Sequence, residues 1–274
     1  MKKLLGLLLI LFFVITPVSA KTDTASAEYL QNKKHFAIMN PLAESIAQKV
    51  IRKQLKKETG AKFKVKFEGY TLSSMKKGVF KNLDITGKKV TIEDIYIPNI
   101  RFKTITDYNR IDYTKNPPVF LSDMEFAYEF ELNEKSLNDA LSSEEYKRVI
   151  HKTNRITYPV FAIYNVRAEI KNGKVNILAE YNFPIMPARR NKILVLSSSF
   201  DVRNGKIFAT DTAIESSLVN IPLDRATKLI NILDPLSFTL DIIENKKCNA
   251  RIDNIKIVDD IIQINGKIFV KGDK

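Results

Sequence analysis

The stretch Tyr158–Ile185, YPVFAIYNVRAEIKNGKVNILAEYNFPI, decides the fold of this chain. It holds two runs of alternating side chains on either side of Asn172-Gly173. Asn-Gly is the strongest short hairpin signal, because both residues tolerate a positive φ. A two-residue turn sets Lys171 opposite Lys174 and fixes the register. One face is then apolar on both strands: Tyr158, Val160, Ala162, Tyr164, Val166, Ala168 and Ile170 with Val175, Ile177, Ala179, Tyr181, Phe183 and Ile185.

Further strands are predicted on both sides of this hairpin. Asn-Gly-Lys recurs at 204–206 and 265–267, each time between strand-like runs, so two more hairpin turns are expected there. The segments Ala61–Glu68 and Glu125–Glu131 alternate strictly. In Val90–Ile105 the alternation slips near Asp94 and near Pro98-Asn99, which predicts two bulges and a strongly curved sheet.

Three helices are predicted around these strands. The first starts at the capping residue Asn40 and ends at Gly60, and its Leu42–Leu55 portion has an apolar face suited to cover the hairpin. A second starts at Asn133 and runs on through Ile150, and a third covers Leu223–Leu233. The predicted class is α+β: a long, strongly curved antiparallel sheet wrapped around the N-terminal amphipathic helix, with two smaller helices.

The N-terminus resembles a secretory signal. Lys2 and Lys3 precede an apolar run, Leu4–Ile15, that is short for a membrane span, and small residues end at Ala20. We expect cleavage after Ala20 and export to the periplasm or cell envelope. An uncleaved signal that tethers the protein to the membrane is the alternative. The expected organisation is signal 1–20, flexible lead 21–40 and one domain over 41–270.

Charge and composition limit the classes of molecule that this protein is expected to bind. The chain carries a net charge of +13, and +11 remains without Lys2 and Lys3. A basic exported protein favours anionic lipid headgroups or acidic polymers, and without a nucleic-acid motif we expect no nucleic-acid partner. The single cysteine, Cys248, excludes an internal disulfide.

Catalytic motifs are missing from the sequence. It has no Gly-x-Ser-x-Gly, no His-Glu-x-x-His and no glycine-rich phosphate loop. The pair Asp259-Asp260 is interpreted as a turn, because the further ligands of a calcium loop are absent. We therefore expect no catalytic residues, no metal and no cofactor.

One end of the hairpin sheet is predicted to be apolar on both faces. Phe161, Ile163, Ile193 and Val195 break the alternation where the polar face should be, and they fall at the same end. The loop that closes this end contributes the cations Arg189, Arg190 and Lys192. Apolar side chains beside cations are typical of a membrane contact, although another segment packed on this patch as ordinary core is an equal alternative.

Several short motifs resemble the LmeA-like family of exported bacterial phospholipid-binding proteins. They are Phe130–Leu141, FELNEKSLNDAL; Gly78–Phe80, Leu83–Ile85 and Val90–Ile92, which resemble early strands; and Ile255–Ile257 with Ile262–Lys267, which resemble the terminal hairpin. The resemblance covers about Pro41 to Val270. It implies a curved sheet around a helix, with an apolar groove for lipid tails.

From this resemblance we expect non-catalytic binding, and transfer, of anionic phospholipid in the bacterial cell envelope. The side chains expected to line the groove are Val160, Tyr164, Tyr181, Phe183, Ile185, Leu194, Leu196 and Phe200. The alternative is an envelope scaffold or binding module that uses its basic surface on an acidic polymer or a partner protein. A continuous apolar cavity distinguishes the carrier from the packed core of a scaffold.

Overall fold

The described part of the chain combines helices with antiparallel sheets, which confirms the predicted α+β class. A computed structural model describes residues 40–92, 94–112, 119–158, 162–185, 192–216, 236 and 248–272. The predicted signal (residues 1–20), residues 21–39 of the predicted lead and the predicted helix Leu223–Leu233 lie outside these residues. Within the described residues there are four helices and thirteen strands, and every assigned strand pair is antiparallel.

The elements follow one another from an N-terminal helix to a C-terminal hairpin. The helices are α1 (Asn40–Thr59), α2 (Leu72–Lys76), α3 (Glu134–Leu141) and α4 (Glu144–Thr157). The first seven strands are β1 (Phe63–Glu68), β2 (Val79–Phe80), β3 (Asn82–Ile92), β4 (Ile95–Thr104), β5 (Asn109–Asp112), β6 (Val119–Phe120) and β7 (Met124–Leu132). The others are β8 (Ala162–Lys171), β9 (Lys174–Asn182), β10 (Lys192–Arg203), β11 (Lys206–Ser216), β12 (Cys248–Val258) and β13 (Ile261–Val270).

The strands form three sheets. The largest has the order β1-β3-β4-β7-β13-β12, and alternate residues of its strands are buried on one face. A central row of that face runs across paired positions: Val65, Ile85, Phe102, Tyr128, Gly266 and Ile252. A second sheet has the order β11-β10-β9-β8, and a small third one the order β2-β5-β6. Both larger sheets contribute their buried faces to one hydrophobic core.

Two of the predicted Asn-Gly hairpins are confirmed. Asn172 and Gly173 have φ of 55° and 70°, and Asn204 and Gly205 have φ of 54° and 75°. Lys171 pairs with Lys174, as expected. The two sheets meet at the second turn, where the Ile252 backbone N–H donates to the Gly205 carbonyl at 3.0 Å.

The third predicted Asn-Gly turn is wrong, because Asn265-Gly266 lies inside β13 and pairs with β7. The turn between β12 and β13 is made by Asp259-Asp260, with φ of 48° and 61°. Its identification as a turn from the sequence is confirmed. Gly266 has a different role: a Cβ there would lie 2.1 Å from the Arg251 carbonyl oxygen and 2.7 Å from the Tyr128 hydroxyl.

The predicted bulges in Val90–Ile105 are replaced by a hairpin. Ile92 pairs with Ile95, so Asp94, with φ of 69°, belongs to a tight turn rather than a bulge. Near Pro98-Asn99 the register with β3 does not shift. Instead, the alternation of buried residues shifts by one position at the same place on both strands. The shift lies between Gly87 and Val90 on β3 and between Ile97 and Ile100 on β4.

The helices pack against parts of the sheets that the sequence did not predict. α1 buries Ala47, Ile51 and Leu55 and packs mainly on β1 and β3, so the cover expected for the hairpin sheet comes from elsewhere. α3 packs on β8, the edge strand of the four-stranded sheet, and on β4 of the large sheet. The single helix expected from Asn133 is interrupted, because Ser143 caps the new helix α4 by accepting a hydrogen bond from the Tyr146 backbone N–H.

Two asparagine side chains bind the free edge of β8, an arrangement we call the asparagine clasps. Asn138 on α3 donates to the Ala168 carbonyl at 2.8 Å and accepts from the Ala168 backbone N–H at 2.9 Å. Asn154 on α4 does the same with Ile163, at 2.6 and 2.8 Å. Each amide satisfies one donor and one acceptor of an edge strand, where unpaired groups invite wrong pairing.

An ion pair on the outer face of the large sheet predicts a pH effect. Arg101 binds Asp84 through two hydrogen bonds, Nε to Oδ1 at 3.1 Å and Nη2 to Oδ2 at 2.8 Å, and this lowers the pKa of Asp84. The pair therefore stabilises the fold above the ordinary carboxyl pKa of about 3.9, and this stability is lost as the pH falls below it.

We expect Asp84→Asn to cost about 1 kcal/mol or less near neutral pH, since the pair is half-exposed and screened by solvent. The difference from the parent protein should shrink when urea unfolding is repeated at about pH 3 instead of about pH 7. A difference that does not change with pH would rule out the ionic contribution.

Candidate functional site

One end of the four-stranded sheet brings strand ends and the end of a helix together. β8 begins, β9 ends and β10 begins there, with Ala162 opposite Asn182 and Lys192 opposite Tyr181. α4 ends at Thr157, and its Asn154 clasp joins it to Ile163. The sequence therefore places side chains from four segments on one small part of the surface.

Exposed apolar side chains are concentrated at this end. We call the following five the apolar tip: Ile156 (76% exposed), Tyr158 (64%), Ile185 (59%), Tyr164 (55%) and Ile193 (48%). They come from the end of α4, the starts of β8 and β10, and the residues after β9. Scattered exposed apolar residues are ordinary, whereas a group of them at one place indicates an interaction surface.

A single bulge decides which side chains are exposed at the start of β8. Asn165 pairs with Glu180 but Ile163 pairs with Tyr181, so Tyr164 is an extra residue on its strand. Because of this shift Ile163 points into the core, at 2% exposure, and Tyr164 points outward and donates a hydrogen bond from Oη to Asn182 Oδ1 at 2.9 Å. The two predicted roles are therefore exchanged: Ile163 is not a surface residue, and Tyr164 is not on the inner face.

Cationic side chains on α4 lie beside the apolar tip. Lys152 and Arg155 are exposed in the last turns of α4, whereas Glu144 and Glu145 stand in its first turn. This order suits the helix dipole, which favours acids near the N-terminus and cations near the C-terminus. At the far end Lys147 binds Glu144 at 2.8 Å, and that hydrogen bond lowers the pKa of Glu144.

The acidic Glu180 pairs with Ile193 on the neighbouring strand and accepts a hydrogen bond from Asn165. The strand register places Glu180 directly beside Ile193 of the apolar tip.

The predicted lining residues divide between core and surface. Tyr181, Leu194 and Leu196 are buried to 3% exposure or less, and Phe183 and Phe200 are half-buried against the same core. Phe183 packs edge-on against Tyr181, with ring centroids 5.6 Å apart. Three of the eight expected lining side chains therefore belong to the packed core.

The predicted membrane-contact residues are only partly brought together. Ile193 belongs to the apolar tip, while Val195 and Lys192 are half-buried on β10. Ile185, predicted as lining, is exposed and joins the tip as well. Val160, Phe161, Arg189 and Arg190 lie outside the described residues.

Sequence reasoning missed Ile156 and assigned Tyr158 to the inner face. The signal was present in Thr157-Tyr158-Pro159, since the residue before a proline rarely stays helical and a helix is expected to end there. A helix ending at Thr157 leaves Ile156 in its last turn, close to the start of β8.

The comparisons with known proteins give no relative from which a role could be transferred. No protein-family model, no curated protein and no solved structure matches the chain. The likeness to the LmeA-like family stays a prediction from short motifs.

Among the helices described, none is long and apolar enough to cross a membrane. In the same part of the chain, His, Cys, Asp and Glu side chains form no group of three that could hold a metal ion.

Proposed function

We propose that this protein binds the surface of an anionic phospholipid membrane in the cell envelope, without catalysis, through the apolar tip. The observation that carries the proposal is the gathering of Ile156, Tyr158, Tyr164, Ile185 and Ile193 at one end of a sheet, beside exposed cations. Apolar side chains beside cations match the membrane surface, where apolar acyl chains lie beneath a layer of anionic headgroups.

The energetics of such a contact are favourable. Full burial of an isoleucine side chain contributes about 1.5–3 kcal/mol, and a cation near an anionic leaflet contributes about 1 kcal/mol. Tyrosine suits the same boundary, because its ring is apolar and its hydroxyl stays in water. Two tyrosines, three isoleucines and the α4 cations Lys152 and Arg155 give affinity without inserting a helix.

The proposal places the contact on the apolar tip and not on the inner face of the sheet. Tyr181, Leu194 and Leu196 are packed side chains and do not support a lipid groove at their position. Transfer of lipid through a groove, and a strongly curved sheet that would enclose it, stay predictions from the family resemblance.

The test is binding of the protein to vesicles of phosphatidylglycerol, measured by sedimentation. We expect Ile156→Ser and Ile185→Ser each to weaken binding about tenfold, since each removes an exposed side chain that the bilayer would bury. Neither change should alter the thermal unfolding midpoint, because both side chains are mostly exposed. Val258→Ser is the matched control: Val258 is 47% exposed but stands beside the acidic turn Asp259-Asp260.

The charge contribution is tested separately with Lys152→Gln and Arg155→Gln. Each should weaken binding to phosphatidylglycerol vesicles by about fivefold and reduce its salt dependence. The proposal fails if the parent protein does not sediment with phosphatidylglycerol vesicles. It also fails if Ile156→Ser binds as the parent does, or if Val258→Ser loses as much affinity as Ile156→Ser.

A further inference from the structure

A groove of about 600 Å³, with both polar and apolar lining, lies where the two larger sheets meet. Its floor is the outer face of three neighbouring strands, on which Glu125 of β7, Phe269 of β13 and Asn249 of β12 form one paired row. Lys267 and Arg251 form the next row. The volume is in the range of small-molecule and oligomer sites.

The β10–β11 turn forms one wall of this groove. Asn204, Gly205 and Lys206 line it, and the turn is held against β12 by the hydrogen bond from the Ile252 N–H to the Gly205 carbonyl. A Cβ at Gly205 would lie 2.9 Å from Arg251 Cγ, so the turn sits directly on the Arg251 side chain. The wall is therefore fixed by backbone contacts.

Charge in the groove is mixed, with an excess of cations. Lys267 Nζ lies 3.3 Å from Glu125 Oε1, and Arg251 Nε lies 3.3 Å from Asp253 Oδ1. Lys206 also lines the groove, so three cations face two carboxylates. The Arg251 side chain is 75% exposed and keeps donors available to a ligand.

An exposed aromatic ring lies between these charged groups. Phe269 is 44% exposed although it stands on the floor of the groove, in a row with the amide of Asn249. An apolar ring face next to side-chain amides and an arginine suits a sugar ring, which has apolar C–H faces and polar edges. Cations in excess favour a sugar that carries carboxylates.

A peptide fits this groove less well. Strand addition needs free backbone groups at an edge, and at Ile252 the edge of β12 is already occupied by Gly205. The floor also lacks a deep apolar pocket, since its described side chains are polar apart from Phe269 and Ala250.

We propose that this groove binds an acidic saccharide chain, with Phe269 under a sugar ring and Arg251 on a carboxylate. The site is separate from the apolar tip, because it lies at the opposite end of β10. Its test is therefore independent of the membrane proposal.

The experiment is calorimetric titration of the full chain with oligogalacturonate, a polymer of carboxylated sugars. Malto-oligosaccharide of the same length tests for the carboxylates, and oligoglutamate tests for charge without sugar. We expect Phe269→Ala and Arg251→Gln each to weaken oligogalacturonate binding about tenfold, the effect of one lost ring contact or one charge-assisted hydrogen bond.

Matched controls lie outside the groove. Phe208 has the same exposed fraction as Phe269, 44%, and Lys256 is an exposed cation on β12, so Phe208→Ala and Lys256→Gln should bind as the parent does. The proposal is supported if the protein binds oligogalacturonate more tightly than both other probes and if only Phe269→Ala and Arg251→Gln weaken this binding. Equal binding of oligoglutamate, no binding of oligogalacturonate, or equal loss in the control variants overturns it.

Discussion

Replacing Gly266 with alanine is expected to lower the free energy of unfolding by about 3 kcal/mol or more, a severe case of overpacking. The new Cβ would lie 2.1 Å from the Arg251 carbonyl oxygen and 2.8 Å from Tyr128 Cζ. Neither the Arg251 carbonyl nor the Tyr128 ring can move away easily. The carbonyl belongs to the backbone of β12, and the Tyr128 ring is 1% exposed and packs against Phe130 at a centroid distance of 5.1 Å.

The measurement is urea unfolding of the variant and of the control Gly173→Ala. Gly173 has φ of 70° in its turn, and a Cβ there would have no neighbouring atom within 4 Å. Alanine at this position therefore meets only backbone strain of about 1–2 kcal/mol. If Gly266→Ala is no more destabilised than Gly173→Ala, the packing of Tyr128 over Gly266 is wrong.

Asn138→Ala is expected to cost about 2–4 kcal/mol, because it leaves a buried backbone donor and a buried acceptor of Ala168 without a partner. Ala168 is 1% exposed, so water does not readily replace the lost amide. The Asn138 amide also donates to the Glu134 carbonyl at 2.8 Å, which fixes its orientation. Asn138→Asp should be as destabilising at neutral pH, since a carboxylate would face the Glu134 and Ala168 carbonyls.

The control for this clasp is Asn165→Ala on the same strand. Asn165 is exposed and its contact to Glu180 is long, 3.4 Å, so a change within about 0.5 kcal/mol is expected. Hydrogen exchange at the Ala168 amide should accelerate in Asn138→Ala and stay unchanged in Asn165→Ala. Unaltered exchange in Asn138→Ala would contradict the clasp.

Local signals predicted much of the strand structure. The alternation in β1 and β7, and the turns at Asn172-Gly173 and Asn204-Gly205, depend on neighbours in the sequence. Asn265-Gly266 carries the same dipeptide, yet it lies within a strand because Tyr128 and Arg251, distant in sequence, close over it. Tertiary packing overrides the turn preference there.

The candidate site was harder to predict, because it depends on one inserted residue. Counting from Lys171–Lys174 gives correct pairs as far as Asn165–Glu180, and the bulge at Tyr164 then moves every earlier residue of β8 to the other face. Alternation cannot reveal this, since Phe161, Ile163 and Tyr164 are all apolar or aromatic. Ile193 was correctly expected on the outer face, whereas the exposed Tyr158, Tyr164 and Ile185 were assigned to the inner face.

The motif Leu137–Leu141 shows why a short resemblance is hard to interpret. Leu137, Ala140 and Leu141 are buried, and Asn138 holds β8. The described roles of these residues concern the packing of α3 against the sheets and contacts within α3 itself. A pattern of this kind indicates an architecture and does not by itself indicate a ligand.

The length of β10 has a consequence for the two proposed surfaces. β10 runs from Lys192, beside the apolar tip, to Arg203, beside the groove turn. Its 12 residues, at about 3.3 Å each, span about 40 Å. With a bilayer bound at the apolar tip, β10 acts as a spacer of fixed length between the membrane and the groove. It places the groove up to about 40 Å above the lipid headgroups. Saccharide chains anchored much closer to the membrane than this are then out of reach of the groove.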